Sequence, residues 1–123
     1  MHADQPILET GVLAELLEST GDDVEFVREL LDTYLAETPE HMAAIRQAIE
    51  ADDAAALVRP AHTLKSSSAT LGAMRMSAIG RELEMAGRSG SLEAEAHGML
   101  PDAEATWDLT VAAVRGWQAE HPR

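Results

Sequence analysis

Apolar residues spaced three and four apart recur along nearly the whole chain, and this pattern restricts the fold more than any other feature. Val27, Leu30, Leu31, Tyr34 and Leu35 form one run, Met76, Ile79, Leu83 and Ala86 a second, and Leu100, Ala103, Trp107, Val111, Val114 and Trp117 a third. At 3.6 residues per turn such positions line one face of an α-helix, whereas a strand would scatter them over both faces. The hydrophobic share of 46% is carried mainly by Ala and Leu, with aromatics at 3%, a balance that favours helices over strands. The expected fold is therefore all-α, an antiparallel four-helix bundle with a short additional N-terminal helix. It forms a single domain over 1–123 with its core bundle at about 11–120.

Helix boundaries follow from capping residues. A brief helix around Val12–Leu17 is closed by Thr20-Gly21, and Asp22 or Asp23 can cap the next one. Thr38 stands as a possible N-cap with Pro39 at a first helical position, which predicts a bend or split before the segment continues through Met42, Ile45 and Ile49. Asp52-Asp53 opens a helix running to Leu71 and closed by Gly72. A further helix begins near Ala73 and ends at Gly90, and the last runs from about Ser91 to Glu120 with Pro101 as a kink.

Composition removes several classes of function. A net charge of -13 repels nucleic-acid backbones and anionic lipid surfaces. The absence of cysteine excludes disulfides and thiolate metal sites. No Gly-rich phosphate loop is present, which argues against a nucleotide-dependent kinase. The first residues lack the basic and apolar regions of a signal peptide, and no apolar run could span a bilayer, so a cytoplasmic location is expected.

Within residues 53–71, Leu57, Ala61, Leu64, Ser68 and Leu71 fall within about 40° of one line, and His62 lies about 140° from it. His62 should point outward, with Arg59, Lys65, Ser66 and Ala69 as neighbours one turn away. Lys65 can share the space of the imidazole and stabilise negative charge added there. Ser66-Ser67-Ser68 is unusual in a helix interior; it suits close packing at Ser68 and access to the imidazole at Ser66. Residues 59–90 hold Arg59, Lys65, Arg75, Arg81 and Arg88 against only Glu82 and Glu84, a cationic patch on an acidic chain that suits an acidic, phosphate-bearing partner. The other histidines, His2, His41, His97 and His121, read as ordinary surface residues.

The string Ala61-His62-Thr63-Leu64-Lys65-Ser66-Ser67-Ser68-Ala69-Thr70-Leu71-Gly72 closely resembles the phosphorylation-site helix of histidine-containing phosphotransfer domains, whose motif is approximately A-H-x-L-K-G-S-S-x-x-L-G. The resemblance extends through Arg81-Glu82-Leu83-Glu84 and Ala86-Gly87-Arg88-Ser89-Gly90, and back to Leu30–Leu35 and Thr38-Pro39. It implies that His62 is the phosphoacceptor, that Lys65 contacts the phosphoryl group, and that Ser66 is the small residue permitting approach. Ser66 replaces the family's usual glycine and Thr70 its common asparagine. Pro60, two residues before His62, predicts a local kink.

The resemblance further implies a phosphorelay intermediate, a carrier without kinase activity of its own, exchanging the group between aspartates of response-regulator receiver domains. A hybrid histidine kinase is a further expected partner. Mg²⁺ is expected in the receiver and no cofactor or metal in this chain. Val58 is the expected apolar docking residue beside Arg59, Ser66 and Ala69, Glu84 a possible hydrogen-bond acceptor for the imidazole or an ordinary solvated glutamate, and the protein a monomer. The rival readings are an adaptor that binds receivers without exchanging phosphate, and a metal-binding bundle. The second has little support, because no histidine or carboxylate lies three or four residues from His62.

Overall fold

Five α-helices make up the computed structural model, which describes residues 2–123: α1 (Thr10–Ser19), α2 (Val24–Glu50), α3 (Ala54–Leu71), α4 (Met74–Arg88) and α5 (Ala94–Glu120), after one 3₁₀ turn at His2–Asp4. Helix α2 packs on α3, α3 on α4, α4 on α5, and α5 back on α2, which closes a four-helix ring; α1 lies across α2 and α3. This is the bundle with an extra N-terminal helix that the periodicity predicts. Its core is lined by Val27, Leu31, Ile45 and Ile49 of α2, Leu57 and Leu64 of α3, Met76, Ile79 and Leu83 of α4, and Val114 of α5.

Capping chemistry sets the corners. The carboxylates of Asp23 and Asp53 accept hydrogen bonds from the Phe26 and Ala56 amides, each at 3.0 Å, supplying acceptors for N–H groups that have none within the helix. Helix α2 ends with the Asp53 amide donating to the Ala48 carbonyl at 2.8 Å and Asp52 to Ile49 at 3.0 Å, a paired closure that puts Asp52 in the left-handed region at φ 53. Helix α3 ends at Gly72, φ 89, where a Cβ would stand 2.6 Å from the Glu9 carbonyl oxygen. The Glu9 amide donates to the Gly72 carbonyl at 2.7 Å, so the N-terminal segment is stitched to the turn between α3 and α4.

The expectations for α2 and α5 are corrected. Helix α2 is neither split nor capped at Thr38: it runs through Pro39, with Thr38 buried in its interior. The proline is exposed, so it removes one backbone bond without disturbing packing, and Leu31, Tyr34, Ile45 and Ile49, buried on either side of it, hold the helix together. Helix α5 begins at Ala94 rather than Ser91, with Pro101 inside it. Its buried line passes through Thr106 and Thr110 while Trp107 and Val111 are half-buried. The Thr110 hydroxyl donates to the Thr106 carbonyl at 2.7 Å, which satisfies it in an apolar setting. Helix α3 continues through Pro60.

Candidate functional site

Helices α3 and α4 approach most closely along a stripe of small residues on α4, Ser77, Gly80 and Gly87, with Glu84 between the glycines. A Cβ on Gly80 would lie 2.7 Å from the Lys65 backbone nitrogen, and one on Gly87 would lie 2.9 Å from the Ala54 carbonyl oxygen. The Ser77 hydroxyl donates to the Lys65 carbonyl at 2.8 Å. Small residues bring the two backbones together, and Glu84 therefore reaches α3 at the level of His62.

His62 projects outward with its side chain 53% exposed, while Glu84 beside it is 6% exposed. Glu84 Oε2 lies 2.9 Å from His62 Nδ1 and 2.8 Å from Arg88 Nη2; Oε1 lies 2.6 Å from Lys65 Nζ. One buried carboxylate thus gathers an imidazole and two cations. The hydrogen bonds from Lys65 and then Arg88 hold its pKa down to about 2, against the opposing effect of burial, with the His62 bond and the charge of Lys65 adding to them. An ionised carboxylate only accepts. The proton between Glu84 and His62 therefore sits on Nδ1, and in the neutral ring Nε2 carries the free lone pair.

The other expected residues fall into place unevenly. Lys65 is half-buried because its ammonium turns toward Glu84. Arg59 and Ser66 are exposed and Ala69 half-exposed, on the side of α3 that His62 shares. Val58 is not a free apolar anchor: it is half-buried, with Cγ2 2.9 Å from where a Cβ on Gly87 would lie. The large exposed apolar side chain on α4 is instead Met85, at 59%. Within the cationic patch, Lys65 and Arg88 are occupied by Glu84, and Arg75 Nε donates to the Gln5 carbonyl. Arg59 and Arg81 form no ion pair among the described residues.

Two polar details explain the serine run. Ser68 is fully buried and its hydroxyl lies 2.7 Å from that of Tyr34, whose phenol burial pushes up to about 12 against the Ser68 hydrogen bond. The Ser67 and Thr70 hydroxyls donate to the Thr63 and Ser66 carbonyls one turn back, each at 2.9 Å. The packing role expected of Ser68 is met, and Thr70 spends its hydroxyl on its own helix. The centrality of Glu84 is what sequence reasoning left open. Its signal was the 3-4-3 spacing of Ser77, Gly80, Glu84 and Gly87, a contact face of small residues interrupted by one charge.

The fold and this site define a class, the histidine-containing phosphotransfer modules. The Hpt domain profile matches residues 29–117, and the chain belongs to that family, a family of phosphotransfer intermediates in phosphorelays. The chain is similar to histidine-containing phosphotransfer protein B of Pseudomonas aeruginosa PAO1, at 29% identity with a TM-score of 0.83 over 95% of this chain and 98% of that one. It is also 32% identical over 108 residues to multistep phosphorelay regulator 1 of Schizosaccharomyces pombe, covering 86% of this chain but only 36% of that protein's length. The HPT domain of a sensor hybrid histidine kinase from Shewanella shares the fold, with a TM-score of 0.69 at 18% identity over 85% of this chain and 89% of that one. No helix among the described residues is long and apolar enough to cross a membrane.

Proposed function

We propose that this protein relays phosphoryl groups between receiver-domain aspartates in the cytoplasm, with Nε2 of His62 as the carrier atom. The observation that carries the reading is the imidazole pinned through Nδ1 to a buried carboxylate while half of its side chain stays exposed, which leaves Nε2 as the nitrogen available to react. Nε2 attacks the phosphorus of an aspartyl phosphate in line, the P–O bond to the aspartate breaks, and the reverse step delivers the group to a second receiver. Lys65 stands one turn from His62 and can move its ammonium from Glu84 to a phosphoryl oxygen.

The chain acts as a monomeric carrier with no kinase activity of its own, and a hybrid histidine kinase is a natural source of the donor receiver. Mg²⁺ belongs to the receiver. The carboxylate nearest His62 already accepts from an imidazole and two cations, so it is a poor metal ligand, and the partner's acidic pocket supplies the donors. Arg59, Arg81, Ser66 and Ala69 form the docking face, with the two arginines steering an acidic partner toward an otherwise acidic chain.

The test is transfer from a phosphorylated receiver in the presence of Mg²⁺, read by intact mass under conditions that preserve acid-labile phosphate. Wild type should gain one phosphoryl group and His62→Gln none. A folded wild-type protein that gains none from any receiver of its own genome would leave an adaptor that binds without exchange.

A further inference from the structure

The carboxylate behind His62 has a consequence for the phosphorylated state. The groups facing the imidazole are Glu84 and Arg88 from α4 and Lys65 from its own helix, and the exposed Arg59 and Arg81 stand one turn before His62 on α3 and before Glu84 on α4. Among the described residues no charged side chain of α1, α2 or α5 pairs with this cluster. One negative charge therefore touches the ring directly, and it does so at Nδ1, the nitrogen that does not react.

We propose that Glu84 is a positioning residue that retains the Nδ1 proton through the whole transfer cycle, so that the phosphorylated ring persists as its labile imidazolium above neutral pH. The inference rests on His62 being the phosphoacceptor. When Nε2 attacks phosphorus, the new N–P bond uses the ring's lone pair, the electron pair of the broken P–O bond leaves with the aspartate, and the ring acquires a positive charge. The Nδ1 proton remains where it is, 2.9 Å donor to acceptor from Glu84 Oε2. Return transfer then expels a neutral imidazole. If Nδ1 had lost its proton, the leaving group would be an imidazolate, a far stronger base and a poorer leaving group.

The geometry strengthens the effect as the group arrives. Lys65 and Arg88 neutralise Glu84 in the resting protein, and both stand where a phosphoryl group on Nε2 would attract them. Any bond they give to the phosphoryl oxygens leaves Glu84 with more uncompensated charge, at the moment the ring beside it becomes cationic. The imidazole and the two cations cover the Glu84 carboxylate, so little water competes for its oxygens.

The full chain, labelled with ¹⁵N-histidine, is phosphorylated by phosphoramidate and its ring nitrogens are followed by long-range ¹⁵N–¹H correlation as pH is raised. In wild type, Nδ1 should keep its protonated signature to a pH at least about one unit higher than in Glu84→Gln, the effect of removing an adjacent opposite charge. At a pH well above both midpoints, return transfer to a receiver should be about tenfold slower in Glu84→Gln, in step with that one-unit shift. Glu84→Asp, which keeps the charge, should recover part of the difference. A wild-type Nδ1 that titrates together with that of the unfolded phosphopeptide spanning His62 overturns the proposal, and this comparison needs no variant to fold. Failure of His62 to take up phosphate from either donor instead removes the phosphoacceptor reading on which it rests.

Discussion

Replacing Gly80 by alanine sets two effects of opposite sign against each other. In an exposed helix interior, glycine to alanine stabilises by about 1 kcal/mol, because alanine loses less backbone entropy on folding. At Gly80 the added Cβ would lie 2.7 Å from the Lys65 nitrogen, 3.0 Å from its Cα and 3.1 Å from the Ala61 carbonyl oxygen. All three are backbone atoms, so no side chain can swing aside, and helices α3 and α4 must separate. Overpacking of this kind costs about 1–3 kcal/mol, and at backbone contact the upper half of that range applies. The net expectation is destabilisation by about 1–2 kcal/mol, a fall in melting temperature of roughly 4–8 °C for a chain of this size. Gly98 and Gly116, which have open space where a Cβ would go, provide the controls, and alanine at either should stabilise by about 0.5–1 kcal/mol. Urea unfolding followed by circular dichroism measures all three. If Gly80→Ala were as stabilising as the controls, the close approach that brings Glu84 to His62 would not exist in solution.

Acid should expose the role of Glu84 in stability. Its folded pKa lies below the ordinary glutamate value of 4.5, at about 2, so its contribution is complete above the unfolded value and lost as pH falls from 4.5 toward 2. Glu84→Gln should therefore show a shallower loss of stability across that window, measurable as denaturation midpoints at successive pH values. Asp52→Gly should stabilise by a few tenths to about 1 kcal/mol, because glycine adopts the left-handed conformation at the end of α2 without strain; the same urea titration tests it. Charge reversal at both Arg59 and Arg81 should slow the bimolecular phase of transfer from a receiver about tenfold at low salt, and the difference should shrink as ionic strength rises in rapid-quench experiments.

The helices and the outward placement of His62 were legible because both depend on local periodicity, and a residue about 140° from the buried line has nowhere else to point. Thr38-Pro39 misled because an N-cap followed by proline describes a helix start equally well when burial on both sides carries the helix through. Val58 misled for a related reason. Its angle on α3 is close to that of His62, but a glycine on α4 admits its methyl group, and that knowledge requires the neighbouring helix. Glu84 shows the limit most clearly. Twenty-two positions from His62, its burial depends on how closely Gly80 and Gly87 let two backbones approach, a distance no single-helix pattern encodes.

His62 projects from α3 with about half of its side chain open to solvent. On the proposed reading, a reaction centre this open shields a bound phosphoryl group poorly from water, and the chain's own hold on that group is limited to the imidazole and the cations beside it. Catalytic enclosure must come from whichever partner is present, closing over the histidine like a socket over a ball. Any partner with a matching hollow can use the same atom, and discrimination among partners falls to the surrounding rim. The rim can therefore diverge to suit new partners while the chemistry at its centre stays unchanged.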